Sequence, residues 1–167
     1  MINYGKQSID EKDVNAVVET LNSDWLTQGP KVEEFEQLLA QYCGAKYAVV
    51  VSSGTAALHL ANLVIGSEKK SHVITTPISF LATSNSVIYA GGHPVFSDIS
   101  AVDFNLDVKK IEHLVRGDKE YEGIIPVHLG GAICDMDSIK TIADANNLWI
   151  IEDACHAFGG KWRDKNG

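Results

Sequence analysis

From Ser8 to Cys43 the apolar positions recur at helical spacing. Val14, Val17, Val18 and Leu21 fall on one face of a first helix, and Ser8 with Glu11 reads as a capping box at its start. The pattern breaks at Asn22-Ser23-Asp24, and Trp25-Leu26-Thr27-Gln28-Gly29 is a short irregular stretch. Pro30 suits the first turn of a second helix, with Val32, Phe35, Leu38, Leu39 and Tyr42 as its apolar face. Gly44 stands where a helix C-terminal glycine belongs.

Beyond Gly44 short apolar runs alternate with helical segments. The spacing predicts strands over Tyr47–Val51, His72–Thr76, Pro94–Asp98, Gly123–His128 and Leu148–Asp153. Between them it predicts helices over Gly54–Ile65, Ser79–Ala90, Asp107–Arg116 (with Asp107 as cap) and Asp135–Asn146. The strands read as continuous apolar runs, which indicates burial on both faces. The expected fold class is therefore α/β, a three-layer α/β/α arrangement around a mostly parallel sheet. The segments share no residue pattern, so they are βα units and not solenoid repeats. No linker, low-complexity tract or charge block divides the chain.

A length of 167 residues suffices for one domain with a real core. The net charge of −8 argues against nucleic-acid binding by a broad basic face, though it leaves room for an anionic small molecule in a local pocket. Three widely spaced cysteines, Cys43, Cys134 and Cys155, without a CxxC pair, argue against a disulfide framework and against a metal site of the zinc type. They point to reduced thiols and a cytoplasmic location. The N-terminus has no apolar run that reads as a signal peptide, and no stretch reaches the length of a membrane span.

Candidate chemistry gathers at the C-terminal ends of the predicted strands, where open parallel sheets bind ligands. Ser53-Gly54-Thr55 follows the first strand and opens a helix, so its free N–H groups lie at the positive end of a helix dipole. Such a turn either binds a phosphate or merely caps the helix. It matches neither the P-loop nor the GxGxxG pattern. Phe80 follows the second strand, and is either a core side chain or a plate on which a flat ring can stack. Asp153 ends the last strand, where it can hold a protonated pyridine nitrogen, bind magnesium or cap a helix. Glu152 points to the other side of that strand by alternation, so the two carboxylates are not a dyad. His156 is either a structural turn residue or lies near a cofactor oxygen or the substrate. His128, before Gly130 and Gly131, ends another strand, and the glycines permit either a close ligand approach or a simple turn.

The ordered set of stretches resembles the DegT/DnrJ/StrS family of sugar-nucleotide aminotransferases, within the fold-type-I enzymes that depend on pyridoxal 5'-phosphate (PLP). The matching stretches are Trp25-Leu26-Thr27-Gln28-Gly29-Pro30, Ser52-Ser53-Gly54-Thr55-Ala56-Ala57-Leu58, Thr76-Pro77-Ile78-Ser79-Phe80-Leu81-Ala82-Thr83, Pro94-Val95-Phe96-Ser97-Asp98-Ile99, Pro126-Val127-His128-Leu129 with Cys134-Asp135-Met136, and Glu152-Asp153-Ala154-Cys155-His156-Ala157-Phe158-Gly159-Gly160. The look is nearest to the pseudaminic-acid branch, which aminates the C4 keto group of a UDP-linked 4-keto-6-deoxy-N-acetyl-hexosamine with glutamate as donor. The resemblance implies that Ser53, Gly54 and Thr55 hold the PLP phosphate and that Phe80 stacks on the ring. It implies that Asp153 pairs with the ring nitrogen and that His156 lies near the phenolic oxygen. Tyr4 and Trp25, Leu26, Thr27 and Gln28 would line the entrance for a UDP- or dTDP-linked keto sugar. A homodimer is implied, with no nucleic-acid or membrane partner.

Family members are much longer, and their Schiff-base lysine follows the Glu-Asp-Ala stretch after a serine-rich strand. Nothing before Gly167 matches it: Lys161 and Lys165 fall in what resembles a preceding hairpin. The expectation is an N-terminal helix and entrance loop over residues 1–30, an incomplete PLP-binding large domain over residues 31–167, and no C-terminal small domain. The alternative expectation is a truncated product that acts as a non-catalytic interaction or PLP-binding module.

Overall fold

The computed structural model describes residues 6–66 and 71–163. The chain divides into two compact units, residues 1–50 and 51–167.

The first unit holds α1 (Glu11–Leu21) and α2 (Pro30–Cys43). Asp10, not Ser8, is the N-cap of α1: its side chain accepts the Lys12 and Asp13 N–H groups while Asp13 accepts the Asp10 N–H in return. A carboxylate cap also favours the positive end of the helix dipole, and Ser8 lies two residues too early. Pro30 starts α2, and Gly44 ends it in the left-handed region at φ 65°. Neither helix buries a residue; Val14, Val17, Leu21, Phe35 and Leu38 are all at least half exposed. Tyr47–Val51, expected as a strand, forms none among the described residues, and Tyr47 and Val49 are exposed. An apolar run needs a partner strand to become one, and no described strand pairs with it.

The second unit is an α/β layer structure. It runs α3 (Gly54–Ile65), β1 (His72–Thr75), α4 (Leu81–Ala90), β2 (His93–Phe96), α5 (Val108–Val115), β3 (Gly123–Ile125), a 3-10 turn at Leu129–Gly131, α6 (Met136–Asn146) and β4 (Trp149–Ile150). The four strands are parallel in the order β2-β1-β3-β4. Strand alternation sorts the core onto two faces. Ile74 and Ile124 point to one, where Leu106, Ile111, Met136, Ile139 and Ile142 cover them from α5, α6 and their approaches. Val73 and Ile125 point to the other, against Val87 of α4, and α3 packs on α4.

The expected strand and helix order holds through this unit, with ends that coincide or shift by up to three residues. The Asp107 cap operates as expected, accepting the Lys109 N–H, and Asp135 proves to cap α6 in the same way, accepting the Ser138 N–H. After leaving β2 the chain crosses β1 to build β3 on its far side, so the strand order reverses direction around β1. A crevice at the C-terminal ends is the expected consequence. Beyond β4 the pairing persists as a parallel bridge between Val127 and Asp153, which fixes Asp153 against the end of β3.

Candidate functional site

At those C-terminal ends lies a cavity of about 230 Å3. Gly54 and Thr55 reach it from the start of α3, Phe80 from the approach to α4, and Asp153 and His156 from beyond β4. The five come from three separate connections and meet because the strands are parallel. Ser53 stands beside them as the N-cap of α3, its Oγ accepting the Ala56 N–H at 3.2 Å. The Ala57 N–H goes to the Ser53 carbonyl. Among the described residues, the Gly54 and Thr55 N–H groups take no acceptor. The capping reading of this turn is met by Ser53, and the turn also leaves two amides without an acceptor at the positive end of the helix, a chemistry suited to an anion.

Phe80 is the N-cap of α4 and not part of the helix, and it is 74% exposed. It is no core side chain; its ring forms part of the cavity lining. Asp153 is buried at 4% exposure. Its Oδ2 accepts the Thr83 hydroxyl at 2.6 Å and its Oδ1 accepts the Cys155 N–H at 3.3 Å. Among the described residues no Lys, Arg or His lies within 4.0 Å of that carboxylate. A buried carboxylate without a cation is costly unless something positive arrives to pair with it. The Cys155 thiol on the same wall is pushed up to about 11, first by burial and then by Asp153, so it stays neutral. The Gly54 Cα faces that sulfur so closely that a Cβ would stand 2.8 Å from it.

His156 Nδ1 accepts the Gly130 N–H at 3.3 Å, which places the proton of the neutral ring on Nε2. Gly131 supports this turn at φ 89°, and a Cβ there would stand 3.2 Å from the His156 carbonyl oxygen. Asn105 holds the same turn from below: its Oδ1 accepts the Leu129 N–H and its Nδ2 donates to the Ala132 carbonyl.

His128 is not part of the cavity. It is buried, its Nε2 lies 2.9 Å from Glu152 Oε2 and its Nδ1 accepts the Cys134 N–H at 3.2 Å. The Cys134 side chain first and the Glu152 carboxylate second raise its pKa to about 9, against burial, which lowers it. Its role is to brace the loop, and Glu152 does face away from Asp153. Trp25, Leu26, Thr27 and Gln28 lie in the first unit between α1 and α2, with Trp25 and Leu26 exposed; Tyr4 lies outside the described residues. Lys161 does not line the cavity, and Lys165 lies outside the described residues.

Thr83, Ser79, Cys155 and Asn105 carry the site, and sequence reasoning does not mark them as site residues. Thr83 and Ser79 had a signal: they are polar, and Thr83 sits one turn before Val87 on the buried face of α4. Asn105 had none, lying in an irregular polar segment. A larger cleft, about 860 Å3, opens at the N-terminal strand ends between His72, Tyr121 and Trp149. It mixes Lys119 with Asp118, Glu120 and Glu122 and presents no convergent set of donors or acceptors.

The sequence pattern of the DegT/DnrJ/EryC1/StrS aminotransferase family matches residues 7–167. A UDP-4-amino-4,6-dideoxy-N-acetyl-beta-L-altrosamine transaminase of Campylobacter jejuni is 42% identical over 99% of this chain and 44% of its own length. Helicobacter pylori PseC, an aminotransferase involved in pseudoaminic acid biosynthesis, superposes with a TM-score of 0.87 at 33% identity, over 98% of this chain and 44% of its own. NtdA of Bacillus subtilis, solved with bound cofactor PMP, superposes with a TM-score of 0.82 at 38% identity, over 87% of this chain and 33% of its own. The chain thus spans less than half the length of the curated relatives it matches.

Proposed function

The chain belongs to the DegT/DnrJ/EryC1/StrS aminotransferase family, and from that premise we propose that it forms the cofactor-binding portion of a PLP-dependent sugar-nucleotide aminotransferase. The reaction would move an amino group, with glutamate as donor, onto the keto carbon of a UDP- or dTDP-linked 4-keto-6-deoxy sugar. The observation that carries this reading is the buried Asp153 carboxylate, with no Lys, Arg or His of the described residues within 4.0 Å, on the same small cavity as the open start of α3. Those are two charge requirements, one cationic and one anionic, and a pyridinium phosphate meets both.

The Gly54 and Thr55 N–H groups would take the phosphate at the positive end of α3. Phe80 would cover the ring face, which its exposure at the cavity leaves it free to do. Asp153 would accept the ring N–H and keep that nitrogen protonated. His156, with its proton on Nε2, would donate to an oxygen of the ring or of the substrate. When bound, the cofactor supplies the electron sink and the amino-group carrier. Trp25 to Gln28 and Tyr4 are our candidates for the sugar-nucleotide entrance. We place the lysine the chemistry requires outside residues 1–167, because the relatives are more than twice as long and Lys161 lines no part of the cavity. A homodimer and a cytoplasmic location complete the proposal; the free thiols Cys43, Cys134 and Cys155 accord with a reducing compartment, and no described helix is long and apolar enough to cross a membrane.

The test is a fluorescence titration with PLP. Asp153→Ala is expected to weaken binding at least about tenfold, the worth of one charge-assisted hydrogen bond. Unchanged affinity would overturn the assignment. Because Asp153→Ala strips the Thr83 hydroxyl and the Cys155 N–H of their acceptor, its folding is checked by circular dichroism beside the titration, and Asp153→Asn, which keeps an acceptor without the charge, is titrated as the second variant and is expected to bind as weakly.

A further inference from the structure

Thr83 reaches Asp153 with a side-chain hydroxyl from 70 positions away in sequence. It is fully buried within α4. A threonine inside a helix ordinarily turns its hydroxyl back to the carbonyl four residues earlier. This chain shows the habit twice: Thr20 bonds the Ala16 carbonyl at 2.9 Å and Thr141 the Asp137 carbonyl at 2.7 Å. Thr83 does not. Its hydroxyl lies 2.6 Å from Asp153 Oδ2 and 2.6 Å from Ser79 Oγ.

A hydroxyl has one proton to give. Since the carboxylate only accepts, the Thr83 proton goes to Asp153, and the Ser79 contact must run the other way, with Ser79 donating. The direction is therefore fixed as Ser79 to Thr83 to Asp153. Ser79 itself lines the cavity, so the relay begins and ends on the wall of the same site. The Cys155 N–H holds the second carboxylate oxygen. The Cys155 thiol lies beside the same carboxylate, and the oxygens keep further lone-pair capacity toward the cavity.

We propose that Thr83, with Ser79 behind it, is the positioning residue of this site: a directed hydroxyl relay that orients the Asp153 carboxylate toward a cationic ring nitrogen. The inference rests on the cofactor reading of Asp153. A donor into a charged acceptor within a dry site is stronger than one between neutral groups, and the second hydroxyl polarises the first.

Two measurements test the relay. In cofactor-free protein, proton NMR is expected to show a slowly exchanging Thr83 hydroxyl proton, absent in Thr83→Val and kept in Thr83→Ser. In the PLP titration, Thr83→Val is expected to weaken affinity about tenfold, Ser79→Ala by less, and Thr83→Ser to restore most of it. The serine rescue separates loss of the hydroxyl from loss of packing. If Thr83→Val binds PLP as the wild type does while Asp153→Ala does not, the relay is overturned and the cofactor reading stands. If Asp153→Ala also binds normally, the cofactor reading falls, and the relay is judged on the hydroxyl proton alone: its absence in wild-type protein overturns it and its presence upholds it.

Discussion

At the scale of single residues, the two carboxylates that end the last strand divide their work by the face they occupy. Asp153 looks into the cavity, and Glu152 looks into the loop rack and meets His128. That second pair has a pH signature. His128 has a folded pKa raised to about 9, above the ordinary value near 6.5, because the Cys134 and Glu152 side chains outweigh both burial and the loss of the Cys134 N–H bond, which only the neutral ring accepts, so the protonated ring favours the folded state. The stability it contributes is complete below about pH 6.5 and is lost as pH rises toward 9. Melting temperature is expected to fall across that window in wild-type protein and to fall less steeply in Glu152→Gln. A profile identical in both would remove Glu152 from the account. Residue types and order made Gly54, Thr55, Phe80, Asp153 and His156 legible as a set. Their sequence neighbours did not reveal which would be buried. His128 and His156 look alike in the sequence, both in glycine-bearing turns after strands, and only the fold separates the brace from the cavity residue. Thr83 stayed hidden because its partner lies 70 positions away, a distance that no local pattern spans.

At the scale of elements, caps and glycines were the readable punctuation. Gly44, Asp107 and Asp135 do what their chemistry requires, because capping is settled within one turn of chain. Tyr47–Val51 misled for the opposite reason: a strand is a relation between two segments, and apolar content states only one side of it. Gly123 in β3 shows how closely such relations can bind. It is the register partner of Trp149 in β4, and a Cβ on it would overlap the indole ring. Gly123→Ala is therefore expected to displace Trp149 and destabilise the second unit by about 1–3 kcal/mol, measured by denaturant unfolding. Stability unchanged within error would mean that the indole has another low-energy position. Nothing in the sequence marks Gly123 as different from a turn glycine; its meaning is a close approach, which needs the partner strand to be seen.

At the scale of the whole molecule, the chain spans a portion of the relatives' length and carries the cavity proposed as the cofactor cradle, with no described lysine on it. Borohydride treatment of this chain with PLP is accordingly expected to leave no stable adduct on Lys161 or Lys165, as read by peptide mass. A stoichiometric adduct on either would place a Schiff-base lysine within residues 1–167 and displace the view that it lies elsewhere. The β2-β1-β3-β4 order has a further consequence. Thr83 and Asp153 sit on opposite sides of two crossovers, and β4 is held by a short ladder, with the Trp149, Ile151 and Asp153 N–H groups each donating to the strand beside it. Sliding β4 by one pleat would carry Asp153 away from both Thr83 and the cavity. Ligand occupancy and strand register are therefore the same variable seen from two ends. A small molecule seated on Asp153 works as a splint across the sheet, and it strengthens the fold by as much as it prefers the correctly registered state.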